Sequence, residues 1–117
     1  MTKNPKINYT EYEMEDGEIV LMSTAPVLLL KLKGKNKDAY RRLSKLMMEG
    51  PNEEDVEGVY ELLYNTYLCA NQDEETPMSY REFIEGANQN YGYNVQKVQD
   101  MIKPEKKQPS EQPSEEQ

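Results

Sequence analysis

The chain has 117 residues, 36% of them hydrophobic and 31% charged, with 22 acids against 14 bases and a formal charge of -8. That size suits one compact domain, and the acid surplus repels nucleic-acid phosphates unless a strong basic patch offsets it. Histidine is absent, which removes histidine bases and ligands and with them most catalytic triads and zinc sites.

In chain order, residues 7–14 set Ile7 and Tyr9 among polar positions, Glu15-Asp16-Gly17 supplies a turn, and 18–22 is rich in β-branched and long apolar residues. The pattern predicts a β-hairpin, which is marginal alone in water and must pack on helices. Ser23 or Thr24 as cap and Pro26 in the first turn predict a short helix over 25–33, apolar nearly all round and ended by Gly34. Asn36 caps a second helix to about Glu49, with Tyr40, Leu43 and Met47 at i, i+3 and i+7, stopped by Gly50-Pro51; a single bent helix is the alternative.

A third helix follows Asn52 as cap, with Glu53, Glu54 and Asp55 at its positive end and an apolar stripe of Val56, Val59, Tyr60, Leu63, Tyr67 and Ala70. Gly58 lies off that stripe and weakens the helix by up to about 1 kcal/mol. After the polar loop 71–77, Ser79-Tyr80-Arg81-Glu82 matches a capping box and opens a short fourth helix with Phe83, Ile84 and Ala87 on one side. Asn94 begins a last helix with Val95, Val98 and Ile102 inward. From Pro104 on, only Pro, Ser, Gln, Glu and Lys occur, so 104–117 is expected to be a disordered polar tail. The expected architecture is mainly α (α+β): one domain over 1–103, with an N-terminal β-hairpin packed on a bundle of four to five helices.

Few residues invite chemistry. Cys69 is the single cysteine, so it forms no intramolecular disulfide, and near the end of an amphipathic helix it reads as a packed hydrophobe rather than a nucleophile. Glu53-Glu54-Asp55 and Asp73-Glu74-Glu75 could attract a divalent cation or supply an acid/base pair. The first cluster suits a helix start and the second lies in a loop without calcium-loop spacing. The six glycines form no phosphate-binding set. No catalytic, cofactor or metal residue is assigned, and an enzyme is not expected. The bases Lys31, Lys33, Lys35, Lys37, Arg41, Arg42 and Lys45 are interrupted by apolar residues and read as a solvated helix flank, so no nucleic-acid partner is expected. The longest apolar run, 25–30, contains Pro26 and falls far short of the roughly 20 residues of a membrane span. With no opening signal segment, a reducing cytoplasm is expected.

The apolar inventory is unusual: nine tyrosines and seven methionines with one phenylalanine and no tryptophan. Tyrosine gives contact area with a polar tip and methionine fills irregular gaps, which suits a groove receiving varied apolar side chains; the plainer reading is core. Tyr64 and Leu68 point about 100° or more away from the third helix's stripe. Met47 and Met48, being adjacent, cannot share one direction. With Leu29 of the leucine-rich first helix, these four are the candidate partner-binding residues.

The hairpin with its Glu15-Asp16-Gly17 turn, the Ser23-Thr24-Ala25 lead into Val27-Leu28-Leu29-Leu30-Lys31-Leu32, the tyrosine- and leucine-bearing stretch 56–70 and Met78-Ser79-Tyr80-Arg81-Glu82-Phe83-Ile84 together resemble the tail assembly chaperones of long-tailed (siphovirus-like) bacteriophages. The resemblance covers about residues 7–102. It implies a protein of the host cell cytoplasm that coats the long helical tape measure protein and keeps it soluble until tail tube subunits polymerise around it. Helix-in-groove binding with anchors at i, i+3 and i+7 fits that task, and an acidic coat gives the complex a self-repelling exterior. The resemblance also implies self-association, through the hairpin edge or the first helix, and a C-terminal extension by translational frameshift. Two rival readings are an acidic regulator that mimics nucleic acid, with a regular track of acids and salt-sensitive binding, and an enzyme using carboxylates alone, which needs Asp or Glu converging in a concave pocket.

Overall fold

A computed structural model describes residues 7–102 and places a two-stranded antiparallel hairpin, β1 (Thr10–Glu13) and β2 (Ile19–Met22), ahead of five helices. The expected α+β class and hairpin-plus-helices architecture are found. The expected polar tail lies outside the described residues. Register runs from Thr10 opposite Met22 to Glu13 opposite Ile19. The loop closes where the Met14 N–H donates to the Glu18 carbonyl (2.8 Å), with Gly17 at φ 94°, a left-handed conformation that glycine adopts without strain.

The strands are shorter than the pattern suggests, because the hairpin is held as much by its surroundings as by its own ladder. The Ser23 N–H donates to the Thr66 carbonyl (3.2 Å), Asn71 Nδ2 to the Leu21 carbonyl (2.9 Å), and Glu15 N–H to the Gly86 carbonyl (3.0 Å). On β1, the Glu13 N–H donates to the Tyr93 hydroxyl (2.8 Å) and the Glu13 carbonyl accepts from Asn88 Nδ2 (3.0 Å). Both strands of an otherwise marginal ribbon are thereby tied to the helices.

Helices α1 (Pro26–Lys35) and α2 (Lys37–Glu49) meet at Asn36. The sequence pattern places the break at Gly34, but Gly34 stays helical. Asn36 makes the corner by serving both helices: its N–H donates to the Leu32 carbonyl (2.7 Å) and its Oδ1 accepts from the Ala39 N–H (3.1 Å). Ser23 does not cap α1; its hydroxyl bridges the Asn8 carbonyl and the Ala25 N–H instead. Gly50, at φ 62°, ends α2.

The third helix, α3 (Val56–Ala70), is the axis of the fold, packed by β2, α1, α2, α4 (Tyr80–Gly86) and α5 (Tyr91–Ile102). It buries Leu62, Thr66 and Cys69 as well as Val59, Leu63, Tyr67 and Ala70, while Val56 is exposed. One apolar stripe therefore understates its burial, because neighbours cover it on several sides. Thr66 tolerates this by donating its hydroxyl to the carbonyls of Leu62 and Leu63.

The cap of α3 is Asp55, whose Oδ1 accepts from the Gly58 N–H (3.0 Å); Asn52 instead closes the preceding turn through the N–H groups of Glu54 and Asp55. This explains Gly58, which composition alone marks as a weakness. A Cβ there would lie 2.4 Å from Asp55 Oδ2 and 3.0 Å from Pro51 Cβ. Gly58→Ala, which in an open helix gains about 1 kcal/mol, is expected to give no gain or to lose about 1 kcal/mol as the cap is displaced. In an Asp55→Ala background part of the helix gain should return, the Pro51 contact being the obstacle left. Urea titration of the four proteins measures this; a Gly58→Ala single variant clearly more stable than its parent would show the cap yields freely.

The Ser79–Glu82 capping box forms as expected, with Glu82 N–H to Ser79 Oγ at 3.1 Å and Ser79 N–H to Glu82 Oε1 at 2.9 Å. The last helix starts three residues earlier than expected because Asn90 is the cap, its Oδ1 accepting from the Tyr93 N–H. Asn94 is not a helix start but a fully buried side chain on the inner face with Val98 and Met101, while Val95 and Ile102 are half-buried.

Candidate functional site

Burial on α1 begins from a sequence with too many apolar residues for one contact face. Leu32 is buried and Leu28 and Leu29 are half-buried, which leaves Val27 57% and Leu30 71% exposed. On α2, Ala39, Leu43 and Leu46 face α3, so the residues about 100° further round, Tyr40, Ser44 and Met47, turn toward α1, and Met48 stands 87% exposed. Pro26 at the start of α1 and Met47 near the end of α2 line one groove, so the two helices fold back on each other about Asn36. The groove encloses about 540 Å³ and is lined by Pro26, Leu29, Leu30, Tyr40, Ser44, Met47 and Met48. Its one polar side chain besides the Tyr40 hydroxyl is Ser44.

Of the five candidate partner-binding residues, the structure brings Leu29, Met47 and Met48 into this groove and sets Tyr64 and Leu68 apart. Those two line a shallower depression of about 370 Å³ with Asp38, Arg42, Glu61 and Tyr80. Tyr64 is also structural: its hydroxyl donates to the Met78 carbonyl (2.9 Å) and its ring lies 5.3 Å from Tyr80, 5.8 Å from Phe83 and 6.0 Å from Tyr67. Burial, aided by Tyr67 and Glu82, raises its hydroxyl pKa above the usual value. The depression is mixed in character, with an Arg42–Glu61 ion pair at 3.3 Å across its wall.

Pro26, Leu30, Tyr40 and Ser44 are the groove residues outside the sequence-based candidates, and Leu30 and Tyr40 are the large apolar ones among them. In the unbroken apolar run 27–30 nothing distinguishes the outward residue, and Tyr40 lies on the stripe that reads as core. The only available signal was the surplus itself, since a helix apolar all round needs cover on every side.

No family model matches the chain, and no curated protein or solved structure matches it. What the groove can do therefore follows from its residues.

Among the described residues no group of three or more cysteine, aspartate and glutamate side chains could hold a metal ion, and no helix is long and apolar enough to cross a membrane. Cys69 is fully buried, and burial pushes its thiol up to about 12, which leaves no thiolate for nucleophilic attack at neutral pH. The two acid clusters stay apart: Asp55 caps α3, and Asp73 pairs with Lys31 at 3.5 Å. What remains is an exposed, apolar, methionine-rich groove between two helices, a geometry suited to receiving a third helix.

Proposed function

We propose that this chain is a tail assembly chaperone of the siphovirus-like type: it binds the long helical tape measure protein in the host cytoplasm and keeps it soluble until tail tube subunits polymerise around it, with no catalytic step. The observation that carries this reading is the groove between α1 and α2, with Leu30 and Met48 exposed along it. Two large aliphatic side chains left in water cost about 1.5–3 kcal/mol each relative to burial, and a client helix recovers that by covering them. The client gains equally, because its own apolar stripe is removed from water. The complex is kept from aggregating by the acidic remainder of the chain.

The test is co-expression with a long coiled-coil protein encoded beside this one. The parent protein is expected to move the client from the pellet to the soluble fraction. A Leu30→Asp, Met48→Asp variant should fold as the parent does, since both sites are exposed, yet leave the client insoluble, its affinity reduced by more than about a hundredfold. Equal protection by the variant, or none by the parent, would refute the reading.

A further inference from the structure

The charge of the chain is unevenly distributed. Residues 26–49 carry seven of the 14 bases and only two acids, Asp38 and Glu49, whereas the rest of the chain carries 20 acids against seven bases. A protein of net charge -8 therefore has one basic helix pair, and that pair forms the apolar groove.

The bases divide by direction. Lys31 and Lys35 turn to the loop after α3, reaching Asp73 and the Gln72 carbonyl, and Arg42 pairs with Glu61. The other four stay with the groove. Lys33 follows Pro26 and Leu29–Leu30 at helical spacing, and its ammonium lies 5.7 Å from the centre of the Tyr40 ring, at the groove wall. Lys37, Arg41 and Lys45 form an i, i+4, i+8 row on α2 beside Ser44 and Met48, all three exposed. Among the described residues none of these four makes an ion pair with a carboxylate. They form a cationic border along an apolar floor.

We propose that the occupant of this groove is an amphipathic helix whose apolar stripe is flanked by carboxylates, and that Lys33, Lys37, Arg41 and Lys45 select it. The proposal rests on the groove being the client site and adds the client's chemistry. Helix α1 is about 15 Å long at 1.5 Å per residue, so the groove engages about three turns, enough for anchors at i, i+4 and i+7. Acids beside those anchors meet the border, and bases there meet like charge.

The whole-molecule charge predicts the opposite preference, which makes the test decisive. Two synthetic helical peptides share one leucine stripe and differ only in flanking Glu or Lys, and fluorescence anisotropy with the full-length protein measures each affinity. The Glu-flanked peptide is expected to bind about tenfold tighter, with an advantage that shrinks as salt rises. Lys37→Glu, Arg41→Glu, Lys45→Glu together should invert the preference. Tighter binding of the Lys-flanked peptide, or no response to the triple reversal, overturns the charge selection and leaves the groove reading standing. If neither peptide binds, or if only anionic phosphatidylglycerol vesicles do, the groove is not a helix site and both readings fall.

Discussion

Phe83→Ala is expected to lower stability by about 3–5 kcal/mol. Phe83 is the lone phenylalanine and is fully buried. Its ring centre lies 5.7 Å from Tyr12, 5.8 Å from Tyr64 and 6.0 Å from Tyr67, so one side chain joins the hairpin to two turns of the central helix. Helix α4, which carries it, has seven residues and is too short to persist by itself. Removing the ring takes away its area and its aromatic contacts. It also loosens the Met78 segment, whose N–H donates to the Tyr67 hydroxyl and whose carbonyl accepts from Tyr64. Total stability for a domain of this size is about 5–15 kcal/mol, so thermal and urea unfolding should show a deeply destabilised protein. A loss below about 1.5 kcal/mol would mean that the aromatic cluster repacks around the gap.

The elements were legible in the sequence wherever local chemistry alone decides them. Gly17 in the turn, Gly50 after α2 and the Ser79–Glu82 box act through their own backbone, and each appears where the pattern sets it. Boundaries moved where two residues competed for one role. Asn36 outdid Gly34 because it serves two helix ends at once, and Asp55 outdid Asn52 because the latter is used by the turn before it. The burial of α3 was illegible in principle, since periodicity reports one face and this helix is covered on several. The candidate site was half legible for the same reason. Met48 and Leu29 could be suspected from a surplus of apolar residues, but that Tyr64 turns to Phe83 and Met78 depends on where α4 docks, and that Leu30 turns to water depends on how α1 sits against α2 and α3, neither of which a local pattern encodes.

Asn94→Leu is expected to cost about 2–4 kcal/mol despite near-equal size, because Asn94 holds a buried polar junction. Its Oδ1 accepts from the Tyr12 hydroxyl at 2.6 Å, and its Nδ2 donates to the Asn88 carbonyl (2.9 Å) and the Tyr60 hydroxyl (3.2 Å). The Tyr12 hydroxyl also accepts from the Asn88 N–H at 2.9 Å, so β1, α3, α5 and the loop before α5 converge on two side chains that are both fully buried. Leucine leaves the Tyr12 proton without an acceptor in a site closed to water. Tyr12→Phe makes the complementary break, orphaning Asn94 Oδ1 and the Asn88 N–H. The two losses should be less than additive in the double variant, since the first removes much of what the second would break. Alkaline titration gives an independent reading. Burial pushes the Tyr12 hydroxyl from its usual 10.0 up to about 12, outweighing the Asn88 hydrogen bond that favours the anion. Between those two values the unfolded chain releases this proton while the folded chain keeps it, so stability is whole below pH 10 and declines as pH rises toward 12. Tyr12→Phe should flatten that decline even as it lowers stability at neutral pH. An unchanged alkaline limb, or simple additivity with Asn94→Leu, would show that the two side chains are neighbours rather than one junction.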